Sequence, residues 1–129
     1  MGKKHGFGKL SYGDGSRYEG KFNMGNIEGD GRYYNKNHFW NGEWKNGYLE
    51  GKGKQIIAKK NVDDLTNASE YEGDFVKGER SGQGKFVWNG KYEYNGQFKN
   101  GQLDGEGTFK FKGKVYAGTW VQGTELKIA

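Results

Sequence analysis

The residue types that form nucleophilic triads and thiolate metal sites are scarce in this chain, which has two histidines and no cysteine. His5 and His38 fall at element boundaries or loops, and neither has the spacing of a Ser-His-Asp triad or a zinc site. Carboxylates recur, since Glu28, Glu50 and Asp104 each precede a Gly-x-Gly element. Paired carboxylates can perform acid–base chemistry, but a periodic repeat explains this recurrence by itself. The residues therefore predict no enzyme, no metal and no cofactor.

The Gly-x-Gly elements could in principle be phosphate-binding loops. A dinucleotide or P-loop fingerprint requires a strand followed by a helix, and the P-loop adds Gly-Lys-Ser/Thr. No part of this sequence has helical periodicity. The element instead recurs along the whole chain, at 6–8, 29–31, 51–53, 82–84 and 105–107. We interpret it as a structural part of a repeat.

A second signature precedes this element and sets the period. An aromatic-x-Gly-x-aromatic segment recurs five times, and most copies begin about 22 residues apart. The segments are 18–22, 40–44, 71–75, 94–98 and 116–120. A regular period of this length predicts a stacked array instead of one globular core, which favours binding and scaffolding over catalysis.

Period-2 alternation within each unit predicts a β-hairpin. In residues 18–22 both rings and the glycine share one face, and the charged residues share the other. A turn with glycine at a fixed place follows each segment, as in Asn23-Met24-Gly25 and Lys45-Asn46-Gly47. Successive hairpins then form an elongated, twisted, single-layer antiparallel sheet, and no second layer covers its aromatic face. We expect an aromatic-lined groove on that face, which is typical of a binding surface.

The pattern Tyr-Glu-Gly-x-Trp/Phe-x-x-Gly-x-x-x-Gly-x-Gly resembles the membrane occupation and recognition nexus (MORN) repeat, from Gly6 to Gly123. The resemblance implies an all-β array of hairpins with a groove. It also implies a non-enzymatic module that binds helices or extended peptides, dimerises, tethers membranes, or assembles cytoskeletal and ciliary structures.

We expect one domain, residues 1–129, with repeats starting near 18, 40, 71, 94 and 116. A partial first repeat covers 6–17, and an insertion loop covers 58–69. The last unit lacks its Gly-x-Gly element, so the ends are either capping strands or cuts from a longer array. The edges of an open sheet invite further pairing, including a homo-dimer.

The leading hypothesis is a scaffold protein whose groove holds a helix or extended segment of a protein partner, in the cytoplasm and in a cytoskeletal or ciliary assembly. Large rings dominate interface energetics. The predicted partner-binding residues are Tyr18, Phe22, Trp40, Trp44, Tyr71, Phe75, Trp88, Tyr94, Phe98, Tyr116 and Trp120.

The alternative is a peripheral membrane module, because the net charge of +5 is concentrated in the first half of the chain. Anionic phospholipid headgroups would bind through the basic residues of that half. These are Lys3, Lys4, Lys9, Arg17, Lys21, Arg32, Lys52, Lys54, Lys59 and Lys60. A third hypothesis makes the chain the targeting domain of a larger enzyme. Binding of nucleic acid is disfavoured, because the rings occupy repeat-core positions and the charges project to the other side.

Overall fold

The computed structural model describes residues 6–121 and 125–128, with side chains up to residue 121. Lys3, Lys4, His5 and the predicted turn residues 122–123 lie outside the described residues. Eleven strands form one antiparallel sheet in which every strand pairs with its neighbours in sequence. They are β1 (Gly6–Ser11), β2 (Arg17–Asn23), β3 (Asn26–Tyr34), β4 (His38–Lys45), β5 (Tyr48–Ile57), β6 (Ser69–Val76), β7 (Glu79–Trp88), β8 (Tyr92–Lys99), β9 (Gln102–Phe111), β10 (Lys114–Val121) and β11 (Glu125–Ile128).

The predicted fold class is confirmed. β1 and β11 do not pair with each other, so the sheet is open. Ten strand spacings of about 4.8 Å make it roughly 48 Å long across the strands.

The predicted hairpin turns are also confirmed in the described part of the chain. In each of four successive repeats a two-residue turn joins the two strands of the hairpin. These turns are at 24–25, 46–47, 77–78 and 100–101. In each, the first residue has φ between 49° and 53° and the second is a glycine with φ of 81° or 82°. Positive φ at both central residues defines a type I′ turn, whose twist matches that of the flanking strands.

The two glycines of the Gly-x-Gly element have different structural roles. The first occupies a β-bulge: Gly51, for example, has φ of 79°, and the register between β4 and β5 shifts between Gly42 and Trp44. In three of the repeats the second glycine lies under a tyrosine ring. A Cβ on Gly84 would overlap the Tyr71 ring, with Cζ only 2.6 Å away. The Tyr71 hydroxyl then donates a hydrogen bond of 2.8 Å to the carbonyl of Asp74.

Tyr18 over Gly31 and Tyr94 over Gly107 repeat this arrangement. Their hydroxyls donate to the carbonyls of Lys21 and Gln97, at 3.0 Å and 3.1 Å. The repeated glycine is thus required by close approach of a ring, and each tyrosine becomes the centre of its repeat.

Rings and turns both connect one repeat to the next. Tyr71 contacts Phe75 of its own strand at 5.1 Å and Phe98 of the next repeat at 4.8 Å, both edge-on. The Glu50 carboxylate accepts a 2.9 Å hydrogen bond from the backbone N–H of Lys77, in the next repeat's turn. The recurrent glutamates are therefore structural: Glu28 accepts in the same way from Asn46, at 3.3 Å.

The insertion lies between the end of β5 at Ile57 and the start of β6 at Ser69. Ala58 is buried there, and its N–H donates to the carbonyl of Asn37 at 2.8 Å. The insertion does not disturb the sheet, because β5 and β6 pair without a register shift from Gly51 to Ile57.

Candidate partner-binding site

Most of the predicted partner-binding rings are buried by their own neighbours. Tyr18, Tyr71 and Tyr94 have no exposed surface. Phe22, Trp44, Phe75 and Phe98 are also buried, and Trp40, Trp88 and Trp120 are half-buried. Tyr116 is exposed over 36% of its surface. The aromatic face is thus largely filled by itself, and only its accessible rings are available to a partner. The binding role of all eleven residues stays a prediction.

Trp40 explains where the aromatic face opens. It occupies the position that Tyr18, Tyr71 and Tyr94 hold in other repeats. Its ring does not lie over the second glycine; Gly53 is instead approached by Phe75 and Leu49, at 3.0 Å and 3.1 Å from an ideal Cβ. The Trp40 ring stacks on His38, with centroids 5.4 Å apart and planes 10° apart.

A cavity of about 500 Å³ opens beside Trp40 on the aromatic face, and we call it the ring cavity. Its walls are mainly aromatic and aliphatic, and two of its rings are exposed: Tyr12 over 38% and Tyr48 over 53% of the surface. The indole N–H of Trp44 donates to the carbonyl of Gly31 at 3.0 Å, which fixes this wall. The lining residues are Tyr12, Ile27, Tyr33, Trp40, Trp44, Gly47, Tyr48, Leu49 and Gly78.

A second cavity of about 310 Å³ shares Trp40 and Gly78 with the ring cavity, and we call it the arginine cavity. Arg80 forms its charged wall, and its guanidinium lies 5.1 Å from the centroid of the Phe86 ring. The other lining residues are Gln55, Glu79, Asn100, Gly101 and Gln102. The two cavities make one surface with an apolar end and a polar end.

Sequence reasoning missed Arg80, although the repeat contains a signal for it. The residue two places after the turn glycine faces an aromatic across the hairpin, and it is aliphatic in the other repeats: Ile27, Leu49 and Leu103. Arg80 faces Phe75 at the same place. A charged residue at a repeat position that is otherwise aliphatic is a departure from the core pattern.

Burial alters the acid–base properties of this region. It raises the pKa of Tyr71 to about 12, and the nearby Asp74 carboxylate acts in the same direction. It lowers the pKa of His38, with a further contribution from the positive charge of Arg80. Burial also lowers the pKa of Arg80, which remains cationic at neutral pH because a guanidinium holds its proton so strongly.

The basic residues of the lipid hypothesis are scattered, and several are paired. Lys54 contacts Glu70 at 2.8 Å, which raises the pKa of the lysine, and Lys52 contacts Asp74 at 2.6 Å. Lys9 and Arg17 both lie within 4.0 Å of Glu19. Lys59 and Lys60 are exposed in the insertion, while Lys21 and Arg32 lie exposed on strands. Lipid binding therefore stays a prediction.

The face opposite the rings carries a cavity of about 730 Å³. Its floor is the row of glycines, and its charged walls include Lys52, Lys54 and Glu72. These charges are matched within the sheet, because both lysines have carboxylate partners. A wall of satisfied ion pairs offers a ligand little, so we place the candidate site on the aromatic face.

The described part of the chain contains no group of three or more His, Cys, Asp or Glu residues arranged to hold a metal ion. It also contains no helix long and apolar enough to cross a bilayer.

Comparisons with known proteins agree with this architecture. The MORN repeat family matches residues 1–17, 18–38, 40–62, 71–91 and 94–113, which is most of the chain. The chain is also similar to Alsin of Homo sapiens, Mus musculus and Pan troglodytes, with 35% identity over 89 residues. This alignment covers 64% of the chain and 5% of Alsin, so the chain spans only a small part of the curated relatives. Repeats of this type are in general non-catalytic interaction modules, and by these matches and its hairpin sheet the chain belongs to the MORN repeat family.

Proposed function

We propose that this chain is a non-enzymatic scaffold module that binds a segment of a partner protein in the ring cavity. The observation that carries the proposal is the opening beside Trp40. The repeat tyrosine that would close the aromatic face is replaced there, and the neighbouring rings are left accessible around about 500 Å³ of space. A concave site lined by aromatic and aliphatic side chains is the usual form of a recognition pocket.

The rings of the cavity suit the role of anchors. Tyr33 contacts Tyr12 and Trp40 at centroid distances of 5.9 Å, and its hydroxyl donates to Ser16 at 3.1 Å. These contacts hold the walls before a partner arrives, which reduces the ordering cost of binding. The buried ring of Tyr18 supports this wall, because it contacts Trp44 edge-on at 5.9 Å. The cytoplasmic, cytoskeletal or ciliary setting stays a prediction, and the aromatic cavity is compatible with it.

The test is a random dodecapeptide library displayed on phage and selected on the immobilised chain, with enriched peptides then titrated by calorimetry. We expect enriched peptides to contain large apolar side chains and to lose at least about tenfold in affinity with Trp40→Ala or Tyr48→Ala. The matched control is Trp88→Ala. It removes a half-buried indole from the same face, where Trp88 packs on Phe86 at 4.5 Å.

Equal losses with Trp88→Ala and Trp40→Ala would contradict the proposal, as would failure to enrich any peptide. Flotation with vesicles containing 30% phosphatidylserine at low and high salt tests the lipid alternative. Salt-sensitive vesicle binding without peptide binding would replace the proposal with that alternative.

A further inference from the structure

The arginine cavity contains a cation in an unusual setting. Arg80 donates from Nε and Nη2 to the carbonyl of Gly101, at 3.1 Å and 2.8 Å. Its Nη1 donates to Oε1 of Gln55 at 3.3 Å. The guanidinium is therefore fixed in position by backbone, amide and rings, with no carboxylate within 4.0 Å among the described residues.

The lysines that line the large cavity on the opposite face are in a different setting. Lys52, Lys54 and Lys85 each have a carboxylate partner on that face. On the ring side, Arg80 is half-buried, and its guanidinium lies 5.8 Å from the centroid of the Tyr71 ring. Glu79 lies at the rim and is exposed, and it forms no ion pair with Arg80.

Unused donors remain beside this cation. A guanidinium has five N–H groups, and three hydrogen bonds are formed by Arg80 within the described structure. Gln55 accepts from Arg80 through Oε1, while its Nε2 donates to no described residue. Both side chains line the arginine cavity, which adjoins the ring cavity at Trp40 and Gly78.

We propose that this pair of side chains receives an acidic residue of the partner segment. The carboxylate of an Asp or Glu accepts hydrogen bonds from Arg80 and from Nε2 of Gln55, while a neighbouring apolar residue of the same segment occupies the ring cavity across Trp40. This inference rests on the proposed function, and it adds the chemistry of the partner: an acidic residue next to a large apolar one.

A carboxylate fits this end better than a phosphate does. Phosphate groups carry about −1.5 to −2 charge at neutral pH and are bound by clusters of cations. Among the residues lining the arginine cavity, Arg80 is the one cation, and Glu79 at the rim is an anion. One guanidinium matches the single charge and planar shape of one carboxylate.

The test uses the peptides enriched from the dodecapeptide library. Their Asp or Glu residues are replaced singly by Asn or Gln, and each pair is titrated against the wild-type chain and Arg80→Leu. Leucine is a matched replacement, because Leu49 and Leu103 occupy the same repeat position. We expect one acidic position whose amide form binds the wild-type chain about tenfold more weakly. The same exchange should have no effect on binding to Arg80→Leu. Gln55→Leu should reproduce part of this loss, and Glu79→Gln should strengthen binding.

The outcomes separate the two proposals. Enriched peptides without a shared acidic residue, or an amide exchange that weakens binding equally in both proteins, would overturn this inference and leave the ring cavity as a binding site. Absence of peptide binding, or indifference to Trp40→Ala, would overturn both. Binding of phosphatidylserine vesicles or self-association that is lost in Arg80→Leu, with no peptide enriched, would assign Arg80 to a headgroup or a second copy and likewise overturn it.

Discussion

Replacement of Gly84 by alanine tests whether the repeated glycine exists to accept a ring. An ideal Cβ at this position lies 2.5 Å from the Tyr71 hydroxyl oxygen and 2.6 Å from Cζ, far inside van der Waals contact. Tyr71 is fully buried, so the ring must move if the methyl group is to fit. Gly53 holds the same place in the preceding repeat but has no tyrosine over it. The two substitutions therefore differ mainly in the ring.

The magnitude follows from what Tyr71 loses. Overpacking a core costs about 1–3 kcal/mol, and loss of the hydroxyl's hydrogen bond adds about 1 kcal/mol. Driving out the whole ring, which buries about 150–250 Å², sets an upper bound of about 4–6 kcal/mol at 25 cal/mol per Å². The first two costs add to about 2–4 kcal/mol, and we expect Gly84→Ala to lower the free energy of unfolding by that amount. A domain of this size has about 5–15 kcal/mol in total.

Gly53→Ala should change the free energy of unfolding by less than about 1 kcal/mol. Its Cβ would meet the side chains of Phe75 and Leu49 at 3.0–3.1 Å, so each of these must move by only a few tenths of an ångström. Replacing a strand glycine by alanine recovers about 0.5–1 kcal/mol of backbone entropy against that. The two effects nearly cancel.

Urea unfolding followed by far-UV circular dichroism measures both variants against the wild-type chain. Repeating Gly84→Ala in a Tyr71→Leu background completes a double-mutant cycle. If the ring is the cause, the alanine costs much less once the tyrosine is absent. Equal losses for Gly84→Ala and Gly53→Ala, or a loss unchanged in the Tyr71→Leu background, would refute the reasoning.

Three further predictions concern single groups. Tyr71, whose pKa is raised to about 12, should be the last tyrosine to deprotonate in an ultraviolet titration. In the unfolded chain the same hydroxyl deprotonates near pH 10, so the free energy of unfolding should fall above that pH. The fall should be smaller in Tyr71→Phe. His38 should titrate below 6.5 by NMR and closer to 6.5 in Arg80→Leu; its contribution to stability is present above pH 6.5 and is lost as pH falls, because the unfolded chain takes up the proton first. Lys77 sits at φ of 49° where Asn46 occupies the equivalent turn; Lys77→Asn should therefore raise the free energy of unfolding by about 0.5–1 kcal/mol in urea, since asparagine tolerates this conformation better.

The sheet could be predicted from the sequence because the residue pattern within each repeat determines how its two strands pair. Alternation places rings and glycines on one face, and a glycine at a fixed place closes each turn. Even the type I′ geometry follows, since Asn46-Gly47 and Asn100-Gly101 are strong signals for it. Strand order then follows from the short connections between hairpins.

The accessible part of the aromatic face could not be predicted in the same way. Membership of that face depends on alternation, but exposure depends on whether a ring lies down over its glycine. Tyr94 and Trp40 hold the same repeat position, yet Tyr94 is fully buried and Trp40 stands beside a cavity. The difference is a hydroxyl that reaches the backbone carbonyl of Gln97 at 3.1 Å, which an indole at that place does not reproduce.

Two residues that depart from the repeat pattern, Gln55 and Arg80, lie in contact with each other. Gln55 stands in a column that is aromatic in other repeats, where Phe86 and Phe109 lie. Arg80 occupies a repeat position that is otherwise aliphatic. The two side chains belong to different repeats, yet Nη1 of Arg80 lies 3.3 Å from Oε1 of Gln55. Scattered losses of the pattern would indicate simple tolerance, whereas two that meet beside the open cavity indicate a site maintained at a cost in stability.

Restoring the repeat pattern at both positions should therefore stabilise the sheet. The double variant Gln55→Phe with Arg80→Leu replaces a half-buried polar contact by apolar groups. Such a change is often neutral or stabilising when both partners are exchanged together. We expect the free energy of unfolding to rise by about 1–3 kcal/mol in urea. Recognition of acidic dodecapeptides should be lost at the same time. A double variant that is less stable than the wild-type chain would show that Arg80 and Gln55 have a structural role. Their polar contact would then stabilise the packing between repeats instead of serving a partner.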